Sequence, residues 1–422
     1  DVCEIKSDFL TSLVQLAFFG AYFLMSLPAG ALLRRLGYQR GIVVGLLVMA
    51  VGALLFVPAA NTRTFGLFLV GLGMLGAGIT LLQVAANPYV SVLGPTRLAA
   101  SRVSMVGVAN GLGGTLSPLL GGMLLFGGSA ALKARLAALP DAQRLAEEAT
   151  LVKGPYIGLA IFLAVLAGVF FLLKLPEIEG LTAEDEAESP AALHPSSFTP
   201  RTSALHYRHL VLGIVAIFVY VGVEVGIGSF LIRYGEAQGI TALSGFTQQL
   251  VRGLNLATNF LGVLLGQAPA AVDTTAGFTR GVGAVLVASY WFGVLVGRLV
   301  GIPLLRRFPD RPLLVGVCAA GLLLVLASMA TRGETALWLV VACGLCNSIM
   351  WPVIFPLAIQ GLGPLTKQGS SYLIMAIVGG AVVPPLMGLV ATYGGGLRVA
   401  FLLPALCYGY LLYYAVRGYR VR

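Results

Sequence analysis

LLRRLGYQRGIVVG, residues 32–45, returns as LLRRFPDRPLLVG at residues 304–316. Each copy joins the end of one apolar run to the start of the next through a short basic loop. The likeness continues downstream. LGP stands at 93–95 and again at 362–364, and after each comes a short polar loop with Arg or Lys. A glycine-rich stretch then follows and closes on proline and glycine, as SPLLGG (117–122) and PPLMG (384–388). The second half of the chain replays the first in the same orientation, which is a parallel repeat. The copies are not equally long. Two long apolar runs precede the second basic loop and only one precedes the first. The counterpart of residues 208–234 is therefore expected upstream of Asp1, where the chain also has no initiator Met. The reading is an all-α membrane protein of two pseudo-symmetric bundles, with eleven helices of a twelve-helix plan visible. A natural eleven-helix protein with its N-terminus outside is the alternative.

Composition supports the membrane reading. Of 422 residues, 58% are hydrophobic and 10% charged, with 55 glycines. Soluble domains carry about 25% charged residues. Apolar runs long enough to cross a bilayer of about 30 Å recur along the chain. They lie at about 9–33, 41–59, 66–93, 102–126, 154–174, 208–234, 280–303, 312–330, 335–361, 368–391 and 397–417. None has the alternation of a barrel strand, so helices are expected. The net charge of +10 does not indicate nucleic acid, because the charges follow topology. Arg34, Arg35, Arg40, Arg97, Arg102, Arg306, Arg307, Arg311 and Lys367 fall after alternate runs, and Arg417, Arg420 and Arg422 in the tail. The intervening short loops hold one basic residue each: Arg63, Arg332 and Arg398. That bias puts the first set, and the C-terminus, in the cytoplasm.

The domains follow: an N-terminal bundle over 1–174, a cytoplasmic linker over 175–207 and a C-terminal bundle over 208–422. The acidic, Pro- and Ser-containing linker reads as a flexible tether. Residues 127–153 have apolar residues at helical spacing and are expected on the outer membrane surface. The outer loop 235–279 is also read as interfacial, since a span there would invert every later loop. Cys318, Cys343, Cys346 and Cys407 fall in apolar runs. The CxxC of Cys343 and Cys346 reads as packing on a buried helix, not as metal or redox chemistry. His194, His206 and His209 cluster in or beside the linker, leaving no histidine at membrane depth for a metal site or a triad.

The polar residues at depth are few. Glu224, in AIFVYVGVEVGIGSFLIRYG, is the one carboxylate inside an apolar run. Such a group is costly and usually functional. Tyr220 and Gly228 share its face. Arg298 is the only basic residue well inside another run. At about 1.5 Å per residue, Glu224 stands roughly 24 Å from its inner helix end and Arg298 roughly 8 Å from its own. A level difference of roughly 16 Å rules out direct pairing on this reading. Arg298 is expected to cap carbonyls or to reach the headgroups. Gln83 and Asn87 share a face with Thr80, and Pro88 kinks that helix and frees carbonyls. The matching run in the second half places Asn347 and Trp351 on one face, with Pro352 and Pro356. Kinked polar helices at matching places point to a central site. Amides beside a tryptophan suit a sugar, with hydroxyls to bond and a CH face to stack. Interhelical amide glue is the plainer reading. Asn110, in VANGLGG, is a further candidate, although close packing is the ordinary role of so glycine-rich a helix.

Five stretches carry a family likeness: LVQLAFFGAYFLMSLPAG (13–30), LLQVAANPYVSVLGP (81–95), AIFVYVGVEVGIGSFL (216–231), GLCNSIMWPVIFPLAIQGLG (344–363) and QGSSYLIMAIVGGAVVPPLMG (368–388). Together they resemble the fucose and glucose/galactose proton-symporter family of the major facilitator superfamily. The resemblance implies alternating access between two bundles in the cell (inner) membrane. It implies import of a monosaccharide, usually with a co-transported proton, and neither a cofactor nor enzymatic chemistry. On it, Gln83, Asn87, Asn110, Asn347 and Trp351 are expected to bind sugar and Glu224 to carry the proton. Arg34, Arg35, Arg306 and Arg307 are expected in cytoplasmic gating loops of a monomer. Gln83 stands where fucose-type members have a titratable glutamate, closer to the glucose/galactose type. Gly107 replaces a common glutamine, which leaves the sugar's identity open. Arg233 stands where an asparagine is usual, and the family's first-helix aspartate would fall in the missing helix. Asn110 and Glu224 match the family. An uncoupled sugar facilitator and a non-transporting sugar sensor are the alternatives.

Overall fold

Apolar runs that must satisfy every backbone N–H and C=O inside a bilayer have one local solution, the helix. The computed structural model describes residues 8–126, 139–173, 203–264, 272, 274–275 and 277–420, and every element among them is helical. In chain order these are α1 (Asp8–Thr62), α2 (Phe65–Val92), α3 (Ala99–Phe126), α4 (Asp141–Leu172), α5 (Arg208–Glu236) and α6 (Gly245–Leu264). There follow α7 (Arg280–Arg307), α8 (Asp310–Ala330), α9 (Gly333–Asn347), α10 (Met350–Ile359), α11 (Thr366–Met375), α12 (Gly379–Tyr393), α13 (Leu397–Ala400) and α14 (Leu402–Tyr413). Among the described residues, 9 helices are long and apolar enough to cross a membrane. The first of these, Ala17–Thr62, is two spans joined at Gly37, whose φ of 77° turns the chain between them. Among the described residues helices fall on the eleven apolar runs of the sequence, the 28-residue α3 on the run at 102–126. α6 is a 20-residue helix within the stretch between α5 and α7.

One boundary differs from expectation. Residues 141–153 do not form a separate surface helix but continue the span, as α4 runs unbroken for 32 residues. α4 carries Pro155 within it, but no proline or paired glycine lies inside Asp141–Lys153 itself, and a helix once begun propagates cheaply. At about 1.5 Å per residue α4 is roughly 48 Å long, so its first turns stand clear of a hydrocarbon layer of about 30 Å. The linker at 175–207 lies outside the described residues up to Ser203, whose hydroxyl accepts the Leu205 N–H and starts a short turn into α5.

Small residues let the helices approach. A side chain at Gly78 of α2 would fall 2.6 Å from the Gly45 carbonyl of α1. At this seam only glycine permits backbone contact, the usual device where lipid leaves no hydrophobic drive between helices. α5 is the axis of the second bundle and packs against α7, α9, α10, α12 and α14. Its two ends are pinned by polar bonds. His209 Nε2 is 2.9 Å from the Gln360 carbonyl, and the Tyr234 hydroxyl donates to the Ser328 carbonyl at 2.8 Å. The long run 335–361 breaks between Asn347 and Met350, leaving α9 and α10 as separate helices. Pro352 explains the break: it has no N–H for the Ser348 carbonyl, and its ring crowds that carbonyl.

Candidate functional site

The break between α9 and α10 sets Asn347 and Trp351 on a turn facing α5 and α7. Asn347 is fully buried, and both ends of its amide are engaged. Its Nδ2 donates to the Tyr290 hydroxyl at 2.8 Å, and its Oδ1 accepts from the Tyr408 hydroxyl at 2.7 Å. Tyr290 in turn donates to the backbone carbonyl of Glu224 at 3.0 Å. A single amide thus ties α7, α9 and α14 to the level of Glu224. Trp351 is half-buried, its ring 5.6 Å from Phe355 in a stacked pair and 6.4 Å from Tyr220. One turn further along α5, the Tyr220 hydroxyl donates to Glu224 Oε1 at 2.8 Å. Glu224 and Trp351 are therefore linked through Tyr220.

Arg298 completes the group and overturns a sequence expectation. Its Nη2 lies 3.8 Å from Glu224 Oε1, an ion pair with both side chains largely out of solvent. The sequence estimate took the inner end of the helix at residue 303, whereas α7 continues to Arg307. Nine residues of rise place Arg298 roughly 14 Å from that end, and the level difference shrinks to roughly 10 Å. Helix tilt and the long arginine side chain close what is left. The expected carbonyl capping does occur: Arg298 Nη1 donates to the Gly107 carbonyl of α3 at 2.9 Å.

The N-terminal bundle brings its amides from α2 and α3. Gln83 is half-buried and donates from Nε2 to the Tyr22 hydroxyl at 3.1 Å. Asn87 is half-buried and bonds only along its own helix, to the Gln83 carbonyl at 3.1 Å. Thr80, on the same face, is buried and bonded to the Gly76 carbonyl. Asn110 is exposed, beside the face of α3 on which Gly107 and Gly111 meet Arg298 and Leu295.

The two bundles meet along an inner seam. Ser101 donates to the Ile302 carbonyl at 3.3 Å and Ser104 to the Arg298 carbonyl at 3.0 Å. Of the four loop arginines singled out from the repeat, Arg306 reaches across, with Nε 3.3 Å from Ser101 Oγ and Nη2 3.7 Å from Met105 Sδ. Arg34, Arg35 and Arg307 are exposed. On the other flank, Gly30 of α1 meets Ser371 of α11, and Lys367 Nζ lies 4.9 Å from the Tyr38 ring centroid. These contacts all lie on the half of the molecule that carries the arginine loops. Sequence reasoning passed over Tyr290, Tyr408, Ser101 and Ser104, since a tyrosine or serine in an apolar helix reads as ordinary core. The four described interior cysteines are buried free thiols. Arg233 is exposed near the outer end of α5, 5.8 Å from the Phe230 ring centroid.

Residues 4–267 match the family model described as Major Facilitator Superfamily. The chain belongs to the Major Facilitator Superfamily. Within it, proteins named glucose/galactose transporter and L-fucose-proton symporter are similar to it over nearly the whole chain. It is 42% identical over 96% of its length to a glucose/galactose transporter of Brucella abortus, covering 84% of that protein. It is 30% identical over 97% of its length to the L-fucose-proton symporter of Escherichia coli, covering 85% of it. A crystal structure of a superfamily transporter, FucP, in the outward conformation superposes with a TM-score of 0.76 at 28% identity. That match covers 99% of this chain and 91% of the other. This superfamily member is therefore a multi-pass membrane protein of transporter lineage, not an enzyme.

Proposed function

We propose that this carrier imports a monosaccharide of the glucose, galactose or fucose type together with a proton, by alternating access across the cell inner membrane, with Glu224 taking the proton. The carrying observation is the placement of Glu224. It is the carboxylate at membrane depth, bonded to Tyr220 beside Trp351 and paired with Arg298 at 3.8 Å. A proton site linked to a candidate sugar platform is what coupling requires, because each ligand must change the energy of the other's state. Gln83, Asn87 and Asn110 supply hydrogen-bonding groups from the opposite bundle, and Trp351 supplies the aromatic face. Relatives named for glucose/galactose transport and for fucose-proton symport support the substrate class and the ion. The inner seam, with Arg306 spanning it, acts as the cytoplasmic gate, and the C-terminus faces the cytoplasm.

The test is uptake of labelled glucose, galactose and fucose into liposomes holding the carrier, with and without an inward proton gradient. Accumulation of one sugar above equilibrium, only with the gradient, is expected. The Glu224→Gln carrier is expected to lose that accumulation while still exchanging sugar across the membrane. Accumulation that survives Glu224→Gln would remove Glu224 from the coupling. Equal uptake with and without the gradient would instead favour the uncoupled facilitator, the reading suggested by the neutral Gln83 where fucose-type relatives have a titratable side chain.

A further inference from the structure

Arg298 holds two loyalties in one side chain. Nη2 faces the Glu224 carboxylate on α5, in its own bundle, and Nη1 donates to the Gly107 carbonyl on α3, in the other. Its main-chain carbonyl also accepts from Ser104 of α3 at 3.0 Å. The third nitrogen, Nε, is buried with no hydrogen-bond partner. Gly107 makes this geometry possible, because a Cβ there would come within 3.2 Å of Arg298 Cδ and 3.4 Å of Nε. A glycine opposite an arginine, its carbonyl accepting from the guanidinium, and a carboxylate behind make a bridge between the candidate proton site and the seam.

We propose that Arg298 is the positioning residue that ties the charge of Glu224 to closure of the inner α3–α7 seam. The proposal rests on Glu224 being the proton site. With Glu224 ionised, the guanidinium has its counter-charge and is held where Nη1 meets Gly107, which keeps the seam shut. When a proton from the outer water adds to the carboxylate, no other bond changes and Arg298 keeps its charge. The cation has then lost its counter-ion, and a buried charge without one is strongly disfavoured. Other helices around Glu224 offer no replacement. Among the described residues, α7 brings Arg298 itself and Tyr290, α9 brings Asn347, Cys343 and Cys346, its one carboxylate, Glu334, being bonded to Ser244 and Thr247 at the far end of the helix, and α14 brings Tyr408. α10 has no ionisable side chain, α12 only Tyr393 at its far end, and α11 Lys367 and Tyr372. Water is what remains to solvate the guanidinium, and parting the seam admits it. Ser104 still holds the Arg298 carbonyl after protonation, so the seam is weakened but not dissolved. Sugar binding would have to complete the opening, which limits proton leak through an empty carrier.

The test reads the seam directly. Spin labels are placed through Arg97→Cys and Phe308→Cys, at exposed positions on the cytoplasmic ends of α3 and α7, and their separation is measured in nanodiscs by pulsed electron resonance across pH. In the otherwise unchanged carrier, the minor inner-open population should rise several-fold as pH is lowered. Glu224→Gln should hold the low-pH distribution at every pH. Arg298→Gln should abolish the pH dependence. Arg298→Lys, which keeps the charge but lacks the two-pronged donor, should flatten it and keeps the proposal testable if the neutral variant does not fold. A pH dependence unchanged in Arg298→Lys, or in a folded Arg298→Gln, overturns the proposal. If Glu224→Gln loses sugar accumulation while the Arg298 variants keep the pH-dependent seam, the coupling role of Glu224 stands and the Arg298 link falls. If Glu224→Gln keeps accumulation, the proton-site reading itself falls.

Discussion

The asparagines singled out from the sequence are not equivalent once their bonds are known. Asn347 is clasped between two buried tyrosine hydroxyls at 2.8 and 2.7 Å. Removing its amide takes the acceptor from the Tyr408 hydroxyl, at about 1–3 kcal/mol for a buried group left unsatisfied, while Tyr290 keeps its bond to the Glu224 carbonyl. Asn347→Ala is therefore expected to lower the melting temperature of the purified carrier and its yield. Asn87 donates only to a carbonyl of its own helix. Asn87→Ala is expected to leave the melting temperature unchanged and to weaken sugar binding in an equilibrium titration. A normal melting temperature for Asn347→Ala would show that Tyr408 re-pairs, and unchanged affinity for Asn87→Ala would remove it from the pocket. Glu224 was legible because a lone acid in an apolar run has few innocent explanations. Arg298 was misplaced because heights counted along the sequence ignore tilt, true helix ends and side-chain reach. The Tyr290–Asn347–Tyr408 clasp could not be read at all, since it joins three helices far apart in sequence.

Elements were easier to read than their junctions. Apolar runs gave the helices, and proline gave the α9–α10 break. The continuation of α4 to Asp141 escaped, because a polar amphipathic stretch reads equally well as a surface helix or as the projecting end of a span. The glycines are also ambiguous in sequence and sharply different in place. A Cβ at Gly344 of α9 would fall 2.3 Å from the Tyr290 carbonyl of α7, while one at Gly316 of α8 would meet nothing within 4 Å. Gly344→Ala must push α7 from α9, and overpacking of this kind costs about 1–3 kcal/mol. It should also strain the Tyr290 bond to Asn347, so transport should fall along with thermal stability. Gly316→Ala should leave both unchanged. Equal behaviour of the two variants in a thermal-unfolding and uptake comparison would mean that the α7–α9 contact is looser than described.

At the scale of the whole molecule, the repeat in the sequence foretold two bundles, but only the structure shows where they touch. The contacts run from Ser101 and Ser104 on one flank to Gly30 and Ser371 on the other, all on the arginine-loop side. That arrangement accords with the superposition on a relative in the outward conformation. If transport alternates by rocking one bundle against the other, both flanks must part in every cycle. A Cβ at Gly30 would lie 3.1 Å from Ser371 Cβ, a few tenths of an ångström short of the ~3.5–4.5 Å of a disulfide, a gap that a slight parting of the two helices makes up. The double variant Gly30→Cys, Ser371→Cys should therefore crosslink under mild oxidant and tie α1 to α11. Uptake in liposomes should stop on oxidation and return with reductant, while sugar added from the outer side should still bind to the crosslinked protein. Loss of binding as well as uptake would mean that this closed seam is not the outward-facing state. Uptake that continues in fully crosslinked protein would mean that α1 and α11 stay together through the cycle, and the inner gate would then have to open along α3 and α7 alone.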